Sequence, residues 1–187
     1  MNNNNNNEME IATLANGCFW CTEAIFKKLK GVKSILPGYA GGTVKNPSYN
    51  QVCTGSSGHA ESIQIKFDPT VISFEKILDI FWHTHDPTTL NRQGNDIGTQ
   101  YRSAIFYHDE KQKEIAEKSK KDLEEEHVYK DAIVTEISPF KNFYVAEDYH
   151  KDYYENHKDN AYCNFIIDPK LDKLLKKYRN EVKEEYK

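Results

Sequence analysis

Hydrophobic periodicity limits the folds open to this chain, because strand and helix patterns alternate along it in a set order. Residues 11–15 are a short apolar run that reads as a strand, and 18–30 put Ala24, Ile25, Phe26 and Leu29 on one helical face. Residues 32–39 read as a second strand. After a long polar stretch, 62–68 alternate, with Ile63, Ile65 and Phe67 on one side and Gln64 and Lys66 on the other, as in a half-buried strand. Ser73 can cap a helix carrying Phe74, Ile77, Leu78, Phe81 and Trp82, and Asp86-Pro87 ends it. Residues 102–107 read as a strand, 109–126 as a charged, solvated helix, and 132–137 as a further strand. Strand–helix–strand followed by strand–helix–strand predicts an α+β fold, a two-layer α/β sandwich with a ferredoxin-like (split βαβ) core. Leu171, Leu174, Leu175, Tyr178 and Val182 form the stripe of a C-terminal helical extension that packs on the body.

The stretches between these elements are long. Residues 41–58 are rich in Gly, Pro, Ser and Asn without periodicity, and 88–100 are polar; loops of that length are usually functional or disordered. Residues 1–8 begin with Met1 and six asparagines and are expected to be a disordered tail, leaving 9–187 as a single domain. A formal charge of −4 with interspersed signs gives no footprint for nucleic acid, and no apolar run approaches a membrane span. The tail lacks the parts of a signal peptide, so a cytoplasmic location is expected. Four cysteines in 187 residues do not form a secreted disulfide scaffold; in a reducing compartment they point to catalysis, redox cycling or metal binding.

Cys18 stands between the first strand and the first helix, where Gly17 permits a sharp turn. Free N–H groups and the positive end of the macrodipole favour a thiolate there, and the thiolate is the nucleophilic form. Phe19 and Trp20 beside it can wall an apolar pocket. Cys18 and Cys21 form a C-x-x-C, the spacing of a thioredoxin-type dithiol or of half a zinc site; zinc is the weaker reading, because Cys53 and Cys163 are isolated. A buried, inert cysteine is the bland alternative. His83 and His85 invite a metal reading, but two histidines two apart at a helix end diverge, which favours surface or capping roles. Glu61, entering the alternating strand, is a solvated loop carboxylate unless it faces the Phe19 and Trp20 pocket; there desolvation would make it a proton donor near neutrality. Tyr49 and Tyr101 lie in or beside the loops and can supply hydroxyl hydrogen bonds, while Asp96 is most simply a turn residue.

Together these residues resemble the A-type peptide methionine sulfoxide reductases. The matching segments are Gly17-Cys18-Phe19-Trp20, Pro37-Gly38-Tyr39-Ala40-Gly41-Gly42, Pro47-Ser48-Tyr49 and Gly58-His59-Ala60-Glu61. Residues 93–103, from Gln93-Gly94-Asn95-Asp96 to Tyr101-Arg102-Ser103, and Ala146-Glu147-Asp148-Tyr149-His150 match as well, all in order. The resemblance implies reduction of the S epimer of methionine sulfoxide, free or in proteins, as repair of oxidative damage. It implies Cys18 as nucleophile, Glu61 as acid, Tyr49 and Tyr101 as ligands of the sulfoxide oxygen, Phe19 and Trp20 as the methyl pocket, and Asp96 as a residue orienting substrate. Attack would leave methionine and a sulfenic acid on Cys18; a second thiol would then form a disulfide that thioredoxin reduces. No metal, flavin or nicotinamide cofactor is implied, and a monomer is expected.

The recycling half departs from the pattern. Many relatives carry a glycine-rich C-terminal tail with two recycling cysteines, whereas here Cys163 is the only cysteine in that region and the tail continues as a charged helix. Cys163 is expected to resolve the sulfenic acid ahead of Cys21, with Cys53 the outsider. Two other classes stand beside the reductase: a thioredoxin-like oxidoreductase resting on Cys18 and Cys21 alone, and a noncatalytic methionine-binding module in which Cys18 is ordinary.

Overall fold

The computed structural model describes residues 8–187; the expected tail, Glu8 excepted, lies outside the described residues. Strand β1 (Glu10–Asn16) runs into Gly17, whose φ of +100° is a left-handed conformation that suits glycine, and the chain turns at once into α1 (Phe19–Phe26). This helix is shorter than the 18–30 expected: Lys27 caps it, and Gly31 (φ +82°) turns the chain into β2 (Val32–Ala40). Leu29 is nevertheless buried, bridging to Val182, so the apolar stripe outlasts the helix.

The stretch read as an unstructured loop holds a five-residue helix, α2 (Tyr49–Cys53), set by a capping box: Ser48 Oγ accepts from the Gln51 N–H, and Gln51 Oε1 accepts from the Ser48 N–H. Strand β3 (Ala60–Phe67) then alternates as its sequence predicts, with Ile63, Ile65 and Phe67 fully buried and Lys66 exposed. Helix α3 (Phe74–Thr84) is capped by Ser73 and buries Phe74, Ile77, Leu78, Phe81 and Trp82. The second polar stretch folds into a small hairpin, β4 (Arg92–Gln93) with β5 (Asp96–Ile97), and a 3₁₀ turn at Thr99–Tyr101. Strand β6 (Ser103–Tyr107) follows, then α4 (Glu110–Glu125), which buries only Gln112 and Ala116 and is otherwise a solvated surface.

Strand β7 is Glu136–Pro139, four residues later than expected. Ile133 is buried and the Val134 N–H bonds the Pro87 carbonyl, so the apolar signal at 132–135 comes from a loop anchored on the core; ladder pairing with β6 starts only at Ala104↔Glu136. Strand β8 (Phe143–Val145) and the short α5 (Tyr153–Asn156) lead to a π-helical turn at Cys163–Ile167 and to α6 (Asp168–Lys177). The C-terminal stripe packs on the body as expected, but the helix stops before Tyr178, and Val182 arrives through a 3₁₀ turn.

The strands form a six-stranded mixed sheet in the order β7-β6-β1-β3-β2-β8, parallel at β6/β7 and antiparallel elsewhere. Most of the core, including Leu14, Ile63, Ile65, Phe67 and Ile105, packs with α1 and α3, while a smaller cluster gathers Ala15, Ala40, Ala60, Ala104 and Phe106. Among the described residues no helix is long and apolar enough to cross a membrane.

Candidate active site

Cys18 is the N-cap of α1, extended at φ −61° and ψ 124° and nearly buried. Its carbonyl accepts from the N–H groups of Cys21 and Thr22 at 3.1 and 3.3 Å and from Thr22 Oγ1 at 3.2 Å; the same hydroxyl donates to Asn16 Oδ1. The end of β1 and the start of α1 are thereby clasped around Gly17, and the thiol is fixed at the opening of the helix. A side chain at Gly17 would meet Gln93 Cγ at 2.6 Å, so the turn also needs a bare backbone.

Glu61 comes from the start of β3, in register with Tyr39 of β2, and is 2% exposed. Its Oε2 accepts the Phe19 N–H at 3.1 Å, one of the unpaired donors at the opening of α1. Burial pushes the carboxyl up to about 8, the Phe19 bond offsets part of this, and the charges of Asp96 and Cys21 add to it. Of the two environments open to this carboxylate in the sequence, the structure has the desolvated one. At neutral pH Glu61 is mostly an uncharged acid beside a thiol.

Phe19 and Trp20 line one side. Phe19 is 1% exposed, with ring centroids 4.9 Å from His150 and 5.9 Å from Tyr39. Trp20 stacks on Tyr153 at 3.6 Å, meets Tyr162 edge-on at 5.8 Å, and donates from Nε1 to His150 Nδ1 at 3.0 Å. Tyr49, at the first position of α2, packs on His150 at 4.5 Å. Its hydroxyl is pushed up by burial and then by the Glu61 charge; Tyr101 is pushed up by burial and then by Glu61 and Cys18. Both hydroxyls therefore sit within the field of Glu61, Tyr101 within that of Cys18 as well, and both stay protonated donors. Asp96, on β5, accepts from Tyr162 Oη at 2.9 Å, and this hydroxyl lies 3.7 Å from Cys21 Sγ. Asp96 is thus part of the cluster as well as of a turn.

Four further residues belong to this assembly, Tyr39, Glu147, His150 and Tyr162, none of which had been given a place in the site. Glu147 ties two walls together, accepting from Tyr39 Oη at 2.7 Å and from the Tyr49 N–H at 2.8 Å. Burial acts to raise its carboxyl, but those two bonds outweigh it and hold the group below its ordinary value. His150 is wholly buried among Phe19, Trp20, Tyr49 and Tyr149, and burial lowers its pKa. Tyr162 bridges Asp96 and the thiols. The segments Pro37-Gly38-Tyr39-Ala40 and Glu147-Asp148-Tyr149-His150 carried a signal for three of these; Tyr162 was one among twelve tyrosines.

The four cysteines are free thiols. The Cys18 and Cys21 thiols set each other's ionisation. Burial and the bond from Cys21 push the Cys18 thiol up, and the Glu61 charge adds to this, while the bond from Cys18 lowers Cys21 to about 6, helped by the Lys170 ammonium and Tyr162. The helix start is where it was expected, but in the substrate-free protein burial outweighs it and the charge rests on Cys21. Cys163 is wholly buried in the π-helical turn and raised by burial, with Asp168 and Cys21 as its charged neighbours. Cys53 is exposed at the end of α2 beside Tyr49. The histidines at the end of α3 take structural roles: His85, just past the helix, bonds the Phe81 carbonyl through Nδ1 at 2.6 Å and meets Ser103 Oγ through Nε2 at 2.8 Å, while His83 bonds the Asp79 carbonyl.

Residues 10–183 match a family model described as peptide methionine sulfoxide reductase. The peptide methionine sulfoxide reductase MsrA of Saccharolobus solfataricus is 56% identical over 175 residues, spanning 94% of this chain and 98% of the relative. Among solved structures, Mxr1 from Saccharomyces cerevisiae in reduced form matches with a TM-score of 0.78 at 36% identity, covering 83% of this chain and 90% of that one. Mxr1 in complex with Trx2 matches with a TM-score of 0.56 at 29% identity, covering 78% and 85%.

Proposed function

The chain belongs to the peptide methionine sulfoxide reductase family, and from that premise we propose that it reduces the S epimer of methionine sulfoxide, free or in proteins. The observation that carries this reading is the juxtaposition of Cys18 with a buried Glu61 whose carboxyl is pushed up to about 8 and is hydrogen-bonded to the Phe19 N–H. A sulfoxide oxygen leaves sulfur only if it gains a proton as the thiolate attacks. Glu61 supplies that proton, and Tyr49 and Tyr101 donate to the same oxygen. Phe19 and Trp20 hold the methyl group, and Asp96, through Tyr162, fixes the side of the pocket that orients the chiral sulfur. Cys18 attacks sulfur, the oxygen moves to Cys18 as a sulfenic acid, and methionine departs.

A second thiol of the chain converts the sulfenic acid to a disulfide, and a thioredoxin-class dithiol reduces it; the Mxr1 complex with Trx2 supports that partner by analogy. Residues 9–187 act as one catalytic domain in the cytoplasm. We read β6-β1-β3-β2, antiparallel throughout and crossed by α1 and α3, as the ferredoxin-like core of a two-layer sandwich, a reading supported by the strand order. The experiment is incubation with separate S and R epimers of a methionine sulfoxide peptide plus dithiothreitol. Consumption of the S epimer with the R epimer nearly untouched is expected; equal consumption would contradict the pocket.

A further inference from the structure

Tyr49 opens α2, and a helix of five residues does not hold its own place in water. What grips its start therefore decides where the Tyr49 side chain goes. The capping box of Ser48 and Gln51 closes the turn on itself. The Tyr49 N–H reaches out of the turn and donates to Glu147 Oε1 at 2.8 Å, across 98 positions of chain. The other oxygen of the same carboxylate accepts from Tyr39 Oη at 2.7 Å. Tyr39 belongs to β2, pairs with Glu61 of β3 in the ladder and is 1% exposed, so its position is that of the sheet. Glu147 is itself seated on that strand: Val145 pairs with Gly38, and the Ala146 N–H bonds the Pro37 carbonyl at 2.9 Å. One carboxylate thus joins the first residue of α2 to the strand beside Glu61. Held below its ordinary value, that carboxyl is charged at neutral pH, which strengthens both bonds.

We propose that Glu147 is a positioning residue for the reductase step, a clamp that holds the start of α2 against β2 so that the Tyr49 hydroxyl meets the same sulfoxide oxygen as Glu61. The proposal rests on the reductase reading and gives a role to an acid that the reading leaves unused. Glu147 acts through Tyr49 rather than on substrate, since its two oxygens are taken by Tyr39 and Tyr49. His150 Nε2 stands 3.8 Å from Oε2, beyond hydrogen-bond distance. The field of Glu61 at the Tyr49 hydroxyl agrees with this placing. What the clamp supplies is geometry, and glutamine can supply it too: its oxygen accepts from the Tyr49 N–H, and its NH₂ donates to Tyr39 Oη, a hydroxyl that can turn to accept. Leucine, of similar size, leaves both donors without a partner. Tyr101 sits on a different element, the 3₁₀ turn at Thr99–Tyr101, so loss of the clamp acts through one hydroxyl of the two.

That selectivity is the test. Single-turnover release of methionine from saturating methionine-S-sulfoxide is measured for Glu147→Leu and Glu147→Gln of the full-length protein, each alone and combined with Tyr49→Phe or Tyr101→Phe. With Tyr101→Phe, Tyr49 is the remaining hydroxyl, and Glu147→Leu should slow release by about 2–10-fold, the worth of one hydrogen bond. With Tyr49→Phe, the hydroxyl that Glu147 places is already gone, and the same change should cost less than about twofold. Glu147→Gln should match its parent in every background. Equal losses from Glu147→Leu in the two phenylalanine backgrounds would overturn the proposal, because a general loosening of the pocket acts on both. Release by Glu147→Gln as slow as by Glu147→Leu would overturn it as well. If Glu147→Leu does not fold, Tyr39→Phe, which frees one oxygen of the clamp, takes its place: the same contrast between backgrounds is expected, and equal losses again overturn the clamp. Each of these failures leaves the reductase reading intact, whereas no methionine from the unsubstituted protein would overturn both.

Discussion

Glu61 is held between opposing forces, and its chemistry follows from which one wins. Burial disfavours the carboxylate, the Phe19 N–H favours it, and burial prevails, giving a value of about 8. An acid with that value is mostly protonated and neutral at pH 7 and loses its proton above pH 8, so single-turnover methionine release should fall as pH rises through about 8. Glu61→Gln keeps a hydrogen-bonding side chain but has no proton to give. It should slow that step by about 10²–10⁴-fold and abolish the decline above pH 8; rapid-quench measurement of methionine across pH 6–9 tests both. The two hydroxyls in the same field make a second prediction. Tyr49→Phe and Tyr101→Phe should each cost less than half of the double variant's loss, in log units, because one remaining donor can still hold the sulfoxide oxygen. Additive losses in kcat/KM would mean that the two do not share an oxygen. These residues were legible in the sequence only as types in plausible loops. Glu147 and His150 were legible as a motif but not as neighbours of Cys18, and Tyr162 was not legible at all, because their proximity comes from long-range packing: Trp20 reaches His150 across 130 positions, and Cys21 reaches Tyr162 across 141.

At the scale of elements, the site depends on where strands and helices begin. The end of β1, the start of α1, the start of β3 and the start of α2 all deliver side chains to one place, so small changes at these junctions act on chemistry. Gly17→Ala should be severe, since φ is +100° and the new methyl would meet Gln93 Cγ at 2.6 Å. Left-handed strain costs roughly 1–2 kcal/mol for a residue with a β carbon. The expected result is a midpoint of thermal unfolding several degrees lower, with a further loss of kcat/KM as Cys18 shifts; a midpoint and rate both unchanged would refute this account of the turn. The strong periodic elements, β3 and α3 above all, were legible because each buries one continuous face. α2 was not, since five residues are too few to show a period and its capping box lay in a stretch rich in breakers. β7 was displaced because Ile133 is buried from a loop, and burial of a single residue imitates the start of a strand.

Across the whole molecule, the helix that opens on Cys18 is tied to the wall opposite by a buried acid. Glu23 of α1 is 3% exposed, and its Oε2 accepts from the N–H of Asp152, a residue in the left-handed region at φ +54°. Asp152 in turn pairs with Lys27, one helical turn further along. The segment from His150 to Tyr153, which packs on Phe19 and Trp20, is thereby anchored to the helix that carries Cys18. Burial pushes the Glu23 carboxyl up to about 7; the Asp152 N–H lowers it in part, the Asp152 charge raises it, and Lys27 and Lys151 lower it. The folded value lies above the unfolded one of about 4.3, so the folded state binds this proton more tightly. Its stabilising contribution is complete below about pH 4 and is lost as pH rises through about 7. Glu61 acts in the same direction up to about 8, whereas His85, lowered to about 4 by burial, stabilises above its unfolded value of about 6.5 and loses that as pH falls. Between pH 6.5 and 8 only the two acids titrate among these three, and they lower stability as pH rises, while Cys21, lowered to about 6, acts in the opposite direction. Glu23→Gln retains an oxygen for the Asp152 N–H and carries no charge, so it should leave the unfolding midpoint nearly unchanged at pH 5. At pH 8 it should raise stability by about 1–3 kcal/mol, or roughly 2–4 °C for each kcal/mol in a chain of this size. Calorimetric scans of both proteins at the two pH values decide it: an equal shift at pH 5 and pH 8 would mean that packing, rather than the buried charge, governs this contact.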